Sequence, residues 1–207
     1  MKTRIAIALA ALLCAAAAAA QDAAPALPVD PRAPRFREVE RGLFAGLEAG
    51  WVGYLKTPVA EPARYPSAGT GGGMGSGLHA ALLIGGDIGP RFSLAAVVIG
   101  EVPQAAVSYG SFSVVGGGAD ARWSFAGFRD GQGVERIFLY LHGRGVRFVT
   151  EPHGLFGTQD TLVGGGAGVE YYTRLRHFSV GLAIDGLYAL KAKSPAIAVA
   201  PTLRYTF

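Results

Sequence analysis

The sequence predicts an all-β protein: a transmembrane, antiparallel, up-and-down β-barrel of about eight strands behind a cleaved N-terminal signal peptide. Three observations predict it. Short runs alternate bulky apolar residues with small or polar ones at period two, as strands with one greasy face do. The chain has 31 glycines and only 16% charged residues, and no segment reads as an amphipathic helix, which favours an all-β chain over a mixed one. In nearly every run the charged residue falls opposite the bulky apolar set.

Residues 1–20 open with Lys2 and Arg4, continue through an apolar core from Ile5 to Leu13 and end in an alanine tract. That is the grammar of a secretory signal cut before Gln21. Its core falls short of the roughly 20 apolar residues that a spanning helix needs. Cys14, the one cysteine, leaves with it. Leu13 stands where lipid-attachment sites carry Gly, Ala or Ser. Disulfide and thiol chemistry are therefore excluded from the mature chain. Residues 21–40, with Pro25, Pro28, Pro31 and Pro34 among charges, predict an extended periplasmic leader. The barrel is expected over residues 41–207.

The first strand is expected from Gly42 to Leu55, with Leu43, Ala45, Leu47, Ala49 and Trp51 against Phe44, Gly46, Glu48, Gly50 and Val52. A Pro- and Gly-rich loop from Lys56 to Gly77 follows. Leu78, Ala80, Leu82 and Ile84 then alternate with His79, Ala81, Leu83 and Asp87. A turn at Ile88–Arg91 returns the chain through Phe92, Leu94, Ala96 and Val98, with Ser93, Ala95, Val97 and Glu101 behind. After a loop from Val102 to Gly110, Val115 to Phe125 sets Trp123 against Asp120 and Arg122. A connection at Ala126–Val134 leads to Ile137, Leu139 and Leu141, alternating with Arg136, Phe138, Tyr140, His142 and Arg144. Thr150–Asp160 reads as a loop. Val163 to Tyr172 carries Glu170, Thr173–Arg176 turns, and Phe178 to Tyr188 carries Ser179 and Asp185 on its small face. Past a basic loop at Lys191–Pro195, the closing strand sets Ile197, Val199, Pro201, Leu203, Tyr205 and Phe207 against Ala198, Ala200, Thr202, Arg204 and Thr206. Pro201 has no N–H to donate, which predicts a ladder position with a missing bond, near a bulge or rim.

The charges decide between membrane and soluble barrels. Glu48, Asp87, Glu101, Asp120, Arg122, Arg136, Arg144, Glu170, Asp185 and Arg204 share the non-bulky faces. A lipid-facing Arg or Lys near the midplane costs about 2–4 kcal/mol, so a bilayer demands this segregation, whereas a soluble sandwich inverts it. With about eight strands the interior only just accommodates side chains. Glu48, Asp87, Asp120, Arg122, Arg136, Arg144, Glu170, Asp185 and Arg204 are thus expected to form an ionic lumen network. Gly46, Gly116, Gly166 and Gly181 would make room for the longer side chains. Trp51, Trp123, Tyr171, Tyr188, Tyr205 and Phe207 suit interfacial girdles. Tyr205 and Phe207 end the chain as the assembly signal of such barrels does.

Other chemistry finds little footing. Gly73-x-Gly75-x-Gly77 lacks the following helix and the Lys-Ser or Lys-Thr of a phosphate cradle. The four histidines show neither metal spacing nor a carboxylate pair near them in sequence, and neither a metal nor a cofactor is expected. Basic residues are scattered singly within a net charge of +4, which argues against nucleic acid. His177-Phe178-Ser179 has the His-x-Ser spacing of outer-membrane lipid A deacylases. Both side chains would share a strand face, as base and nucleophile need, but Val180-Gly181 replaces that family's Asn-Ala.

Gly168-Val169-Glu170-Tyr171-Tyr172-Thr173-Arg174-Leu175-Arg176-His177-Phe178-Ser179-Val180-Gly181-Leu182 and the ending Pro201-Thr202-Leu203-Arg204-Tyr205-Thr206-Phe207 resemble the adventurous gliding motility CglE family of myxobacteria. Gly154-Leu155-Phe156-Gly157 and Phe138-Leu139-Tyr140-Leu141 fit as well. The resemblance implies an outer-membrane component of gliding motility with no catalytic residues. The expected function is a non-enzymatic structural or interaction element in the outer membrane of a Gram-negative cell. Its expected partners are outer-membrane lipid, the barrel assembly machinery and cell-envelope proteins met through surface loops. A lipid-modifying enzyme and a narrow channel are the alternatives.

Overall fold

The computed structural model describes residues 39–56, 74–104, 111–152, 157–175 and 177–207. The expected signal peptide, residues 21–38 of the leader and residues 57–73 of the first loop lie outside them. The described residues form eight strands: β1 (Leu43–Tyr54), β2 (Gly75–Ile88), β3 (Phe92–Pro103), β4 (Ser113–Arg129), β5 (Glu135–Glu151), β6 (Gln159–Tyr172), β7 (Phe178–Ala189) and β8 (Ser194–Thr206). Each pairs antiparallel with its sequence neighbours, and β1 pairs with β8 to close the barrel.

Several strands run longer at their ends than the sequence predicts, while β1 is shorter by one residue at each end. Gly75 and Gly77 belong to β2, β4 continues to Arg129, and β5 and β6 absorb the flanks of the expected Thr150–Asp160 loop. Ladder hydrogen bonds hold these polar and glycine residues in extended form despite weak local propensity. The barrel therefore has a turn end and a loop end. The β2–β3, β4–β5 and β6–β7 turns and the C-terminus gather at the first; the β1–β2, β3–β4, β5–β6 and β7–β8 connections gather at the second.

Register fixes the tilt. Partner-to-partner steps run Leu43, Gly86, Leu94, Ala121, Gly143, Gly165, Gly186, Ile197 and return to β1 at Gly53. The stagger is ten residues (53 − 43), which at ordinary strand spacings tilts the strands by about 40°. Pro201 lies in mid-strand, not at a bulge or rim. The β1–β8 ladder keeps one register from Glu48↔Thr202 to Trp51↔Val199 and leaves Ala49 and Gly50 unpaired opposite Pro201 and Ala200. Gly50 lets the backbones close there, since a Cβ would meet Val199 O at 2.1 Å. The register shifts fall instead on the β4–β5 ladder, between Ser124 and Ala126 and between Phe128 and Arg129.

Period-two alternation sorts the side chains as the sequence predicts. Leu43, Leu47, Trp51, Leu78, Leu82, Ile84, Leu94, Val98, Trp123, Ile184 and Leu203 all point outward and are exposed. On β7, the ten residue steps from Phe178 to Tyr188 span about 25 Å at about 3.3 Å each on a strand tilted by about 40°. Trp123, Tyr171, Phe178 and Phe207 mark the turn end of this apolar wall, and Trp51 and Tyr188 its loop end.

Candidate functional site

The inward residues separate by depth. Toward the loop end, Val52, Tyr54, Ile99, Phe112, Val114, Phe148 and Leu162 fill the lumen, each at most 1% exposed. Tyr54 and Phe112 stack at a tilt, with ring centroids 6.1 Å apart. The sequence predicts a polar interior; in this half the interior is mostly an apolar plug, with Glu101 and His79 set among its residues. Alternation alone does not distinguish a plug position from an ionic one, because both face inward.

An ionic chain starts beside the plug and runs inward from it. The Tyr54 hydroxyl donates to Glu101 Oε2 at 2.5 Å, and His79 Nδ1 lies 2.8 Å from Glu101 Oε1. His79 Nε2 faces Glu48 Oε2 at 3.8 Å. Glu48 receives both terminal nitrogens of Arg144 at 2.9 Å, a bidentate clamp. Arg144 Nε also donates to Asp120 Oδ2 at 3.0 Å. That same oxygen lies 3.0 Å from His142 Nδ1, and His142 Nε2 is 2.5 Å from Asp185 Oδ1. Each histidine has a carboxylate at both ring nitrogens, so the imidazolium form places an N–H toward each. The Nε2 contacts are charge contacts without an aligned hydrogen bond.

Toward the turn end, Arg122 pairs with Glu170, whose other oxygen accepts from the Ser179 hydroxyl at 2.7 Å. Arg204 pairs with Asp87 at 2.5 Å. Both guanidinium groups also lie over rings: Arg122 over Tyr140 at 3.6 Å and Arg204 over Phe44 at 3.7 Å. A cavity of about 40 Å³ separates this group from the middle cluster, lined by Glu48, Asp120, Arg122, Tyr140, Glu170 and Arg204 among others. It has room for a few waters and is far smaller than the roughly 300 Å³ or more of a ligand pocket.

The structure thus brings Glu48, Asp120, Arg144 and Asp185 into one cluster and Asp87, Arg122, Glu170 and Arg204 into a second. Arg136 joins neither. Its Nε donates to Asp130 Oδ2 at 2.7 Å in the β4–β5 turn, and its Nη1 donates to Thr173 O at 3.1 Å, because it sits at the rim of β5. Partial burial of Asp130 works against its charge, but Arg136 and the N–H groups of Val134 and Gln132 hold its carboxyl below the usual range. His79, His142, Tyr54 and Glu101 complete the network beyond the predicted set. Their inward phase was readable; the carboxylates beside the histidines come from other strands, Asp185 from two strands away, and leave no trace in local spacing. Among the described residues, no group of three or more His, Cys, Asp or Glu side chains is placed to hold a metal ion.

His177 and Ser179 do not share a strand face. His177 lies in the turn before β7 with φ of 78°. Its Nδ1 contacts Thr206 O at 2.8 Å and Glu40 Oε2 at 2.7 Å, while Ser179 points into the lumen toward Glu170. His177 does not address that hydroxyl; the Glu170 carboxylate, itself paired with Arg122, does. At the C-terminus, Tyr205 and Phe207 pack edge to face, 5.1 Å apart, and Phe207 N donates to Leu43 O at 2.9 Å.

No family model matches the chain, and no curated protein matches it. Among solved structures, it is similar to the crystal structure of Neisserial surface protein A, with a TM-score of 0.59 and 14% sequence identity. The match covers 80% of this chain and 97% of that one. A likeness at this identity speaks for the fold.

Proposed function

We propose that this chain is a non-enzymatic outer-membrane barrel, a structural or interaction element that carries its loop end outward and its turn end toward the periplasm. The observation that carries the reading is the apolar wall of about 25 Å enclosing an ionic lumen, the height of the lipid-facing band of such barrels. The likeness to a Neisserial surface protein supports the same location. The plug of Tyr54, Phe112 and Phe148 favours a sealed lumen over a channel, and the placement of Ser179 against Glu170 disfavours a deacylase. Function then lies on the outer surface and loops. The comparisons carry nothing on gliding motility, and the proposal does not depend on it.

Membrane fractionation with heat-modifiable gel mobility tests the location: the mature chain is expected in the outer-membrane fraction with a heat-dependent shift. A soluble chain without the shift sinks the reading. Planar-bilayer recording is expected to show no steady conductance, and unchanged lipid A acylation is expected after deletion of the gene.

A further inference from the structure

The loop end carries a run of cations that the ionic lumen does not use. Arg147 points outward on β5, level with the upper edge of the apolar wall between exposed Val149 and Val163. Its guanidinium donates to Gln159 Oε1 at 3.1 Å. Arg147 faces Thr161 across the β5–β6 ladder, and Thr161 O accepts from Leu190 N at 3.0 Å. One step further, the exposed Lys191 and Lys193 occupy the β7–β8 turn. The Ser194 hydroxyl donates to Lys56 O, and Leu55 N donates to Pro195 O at 2.8 Å. Arg147, Lys191, Lys193 and Lys56 therefore follow one another along the rim from β5 to β1.

The turn that presents two of them is clamped from inside. Asp160, 4% exposed, accepts from the N–H groups of Thr161 at 2.6 Å and of Lys191 and Ala192 at 2.8 Å. Its charge serves the backbone, so Lys193 is held at a φ of 51°. Among the described residues, none of the four cations has a carboxylate partner. At the turn end, two of the cations are paired, Arg136 with Asp130 and Arg129 with Glu135, while Arg91 donates to Phe125 O and Arg41 lies over the Phe138 ring. A cationic edge whose members have no carboxylate partner among the described residues is, at a membrane surface, complementary to anionic head groups.

We infer that this edge binds the phosphates of a phosphorylated glycolipid in the leaflet surrounding the loop end; the inference rests on the membrane-barrel reading. Arg147 favours a lipid over a soluble acidic partner. It lies on the wall itself, with its carbon stem along apolar neighbours and its charge free to reach up to the head-group level.

The test uses the folded full-length barrel in mild detergent, with bis-phosphorylated lipid A and its dephosphorylated form as probes and lipid adducts read by native mass spectrometry. The phosphorylated probe is expected to be retained preferentially. Combined Lys56→Gln, Arg147→Gln, Lys191→Gln and Lys193→Gln substitution is expected to weaken retention at least about tenfold while keeping heat-modifiable mobility. Removal of as many charges at the turn end, by Arg41→Gln, Arg91→Gln, Arg129→Gln and Arg174→Gln, is expected to leave retention unchanged. Should the first variant fail to fold, Lys191→Gln with Lys193→Gln carries the same test. Equal retention by the folded variant, equal retention of the dephosphorylated probe, a matching loss in the turn-end control, or comparable retention of inorganic phosphate would each overturn the inference. A chain that never enters a bilayer overturns the barrel reading instead, which is a distinguishable result.

Discussion

The two halves of the lumen solve one packing problem with different chemistry. Toward the loop end, Tyr54, Phe112, Phe148 and Leu162 fill the barrel as a soluble core would. From Glu101 and His79 beside the plug down to the turn end, six carboxylates (Asp87, Glu48, Glu101, Asp120, Glu170 and Asp185) meet Arg122, Arg144, Arg204, His79 and His142. With both imidazoles cationic, five positive charges face six negative ones; with both neutral, three would face six. The plug draws on burial and close contact and needs no exact partner. The ionic half depends on every partner being present, because an unpaired charge in a water-poor lumen is costly. The plug is thus suited to sealing, and the network to specifying a single register.

The largest test of that contrast is Arg144→Met, which leaves Glu48 and Asp120 without their shared cation. It should lose about 3–5 kcal/mol of stability or fail to refold, measured by urea unfolding in lipid vesicles, and should remain non-conducting. Phe148→Ala should lose about 3 kcal/mol through its cavity. Combined with Phe112→Ala, it should let ions pass in planar bilayers, and a silent double variant would place the seal elsewhere. A smaller effect is expected at Asp130, outside the membrane wall. Its folded carboxyl titrates below the ordinary range, so its contribution is present above the unfolded value of about 4 and fades as pH falls through the folded one. The urea-midpoint difference between wild type and Asp130→Asn should hold down to about pH 4 and shrink below it. The smallest effect belongs to Gly145→Ala on the outer wall, where a Cβ meets nothing within 4 Å, and the change should stay within about 0.5 kcal/mol. Gly166→Ala is its inward counterpart: a Cβ would meet Ile184 O at 2.1 Å and Asp185 Oδ1 at 2.4 Å, so refolding yield should drop sharply.

Much of the wall was legible because alternation is local. Successive strand side chains must point to opposite faces, so Leu82, Trp123 and Ile184 declare the outside and Glu48, Asp120 and Arg144 the inside with no knowledge of partners. Strand ends were less legible. Glycine-rich Gly75–Gly77 and the polar Gln159–Asp160 carry little strand propensity and are held by their neighbours' hydrogen bonds. Pro201 shows the limit of a sound local argument: its missing donor was readable, but Gly50 across the ladder, which absorbs the gap without a bulge, lies 151 positions away (201 − 50).

By itself, then, the sequence determined the fold class, the face that nearly every strand residue takes and, Arg147 apart, the segregation of charge from the wall. Only the closed ring decided depth and company. The ten-residue stagger carries Arg144 to Glu48 across 96 positions, sets His142 between Asp120 and Asp185, drops Arg136 to the rim and raises Phe112 and Phe148 into a seal. Alternation is a property of two adjacent peptides. Height in a barrel is the sum of registers around eight strands, and no stretch of sequence contains that sum.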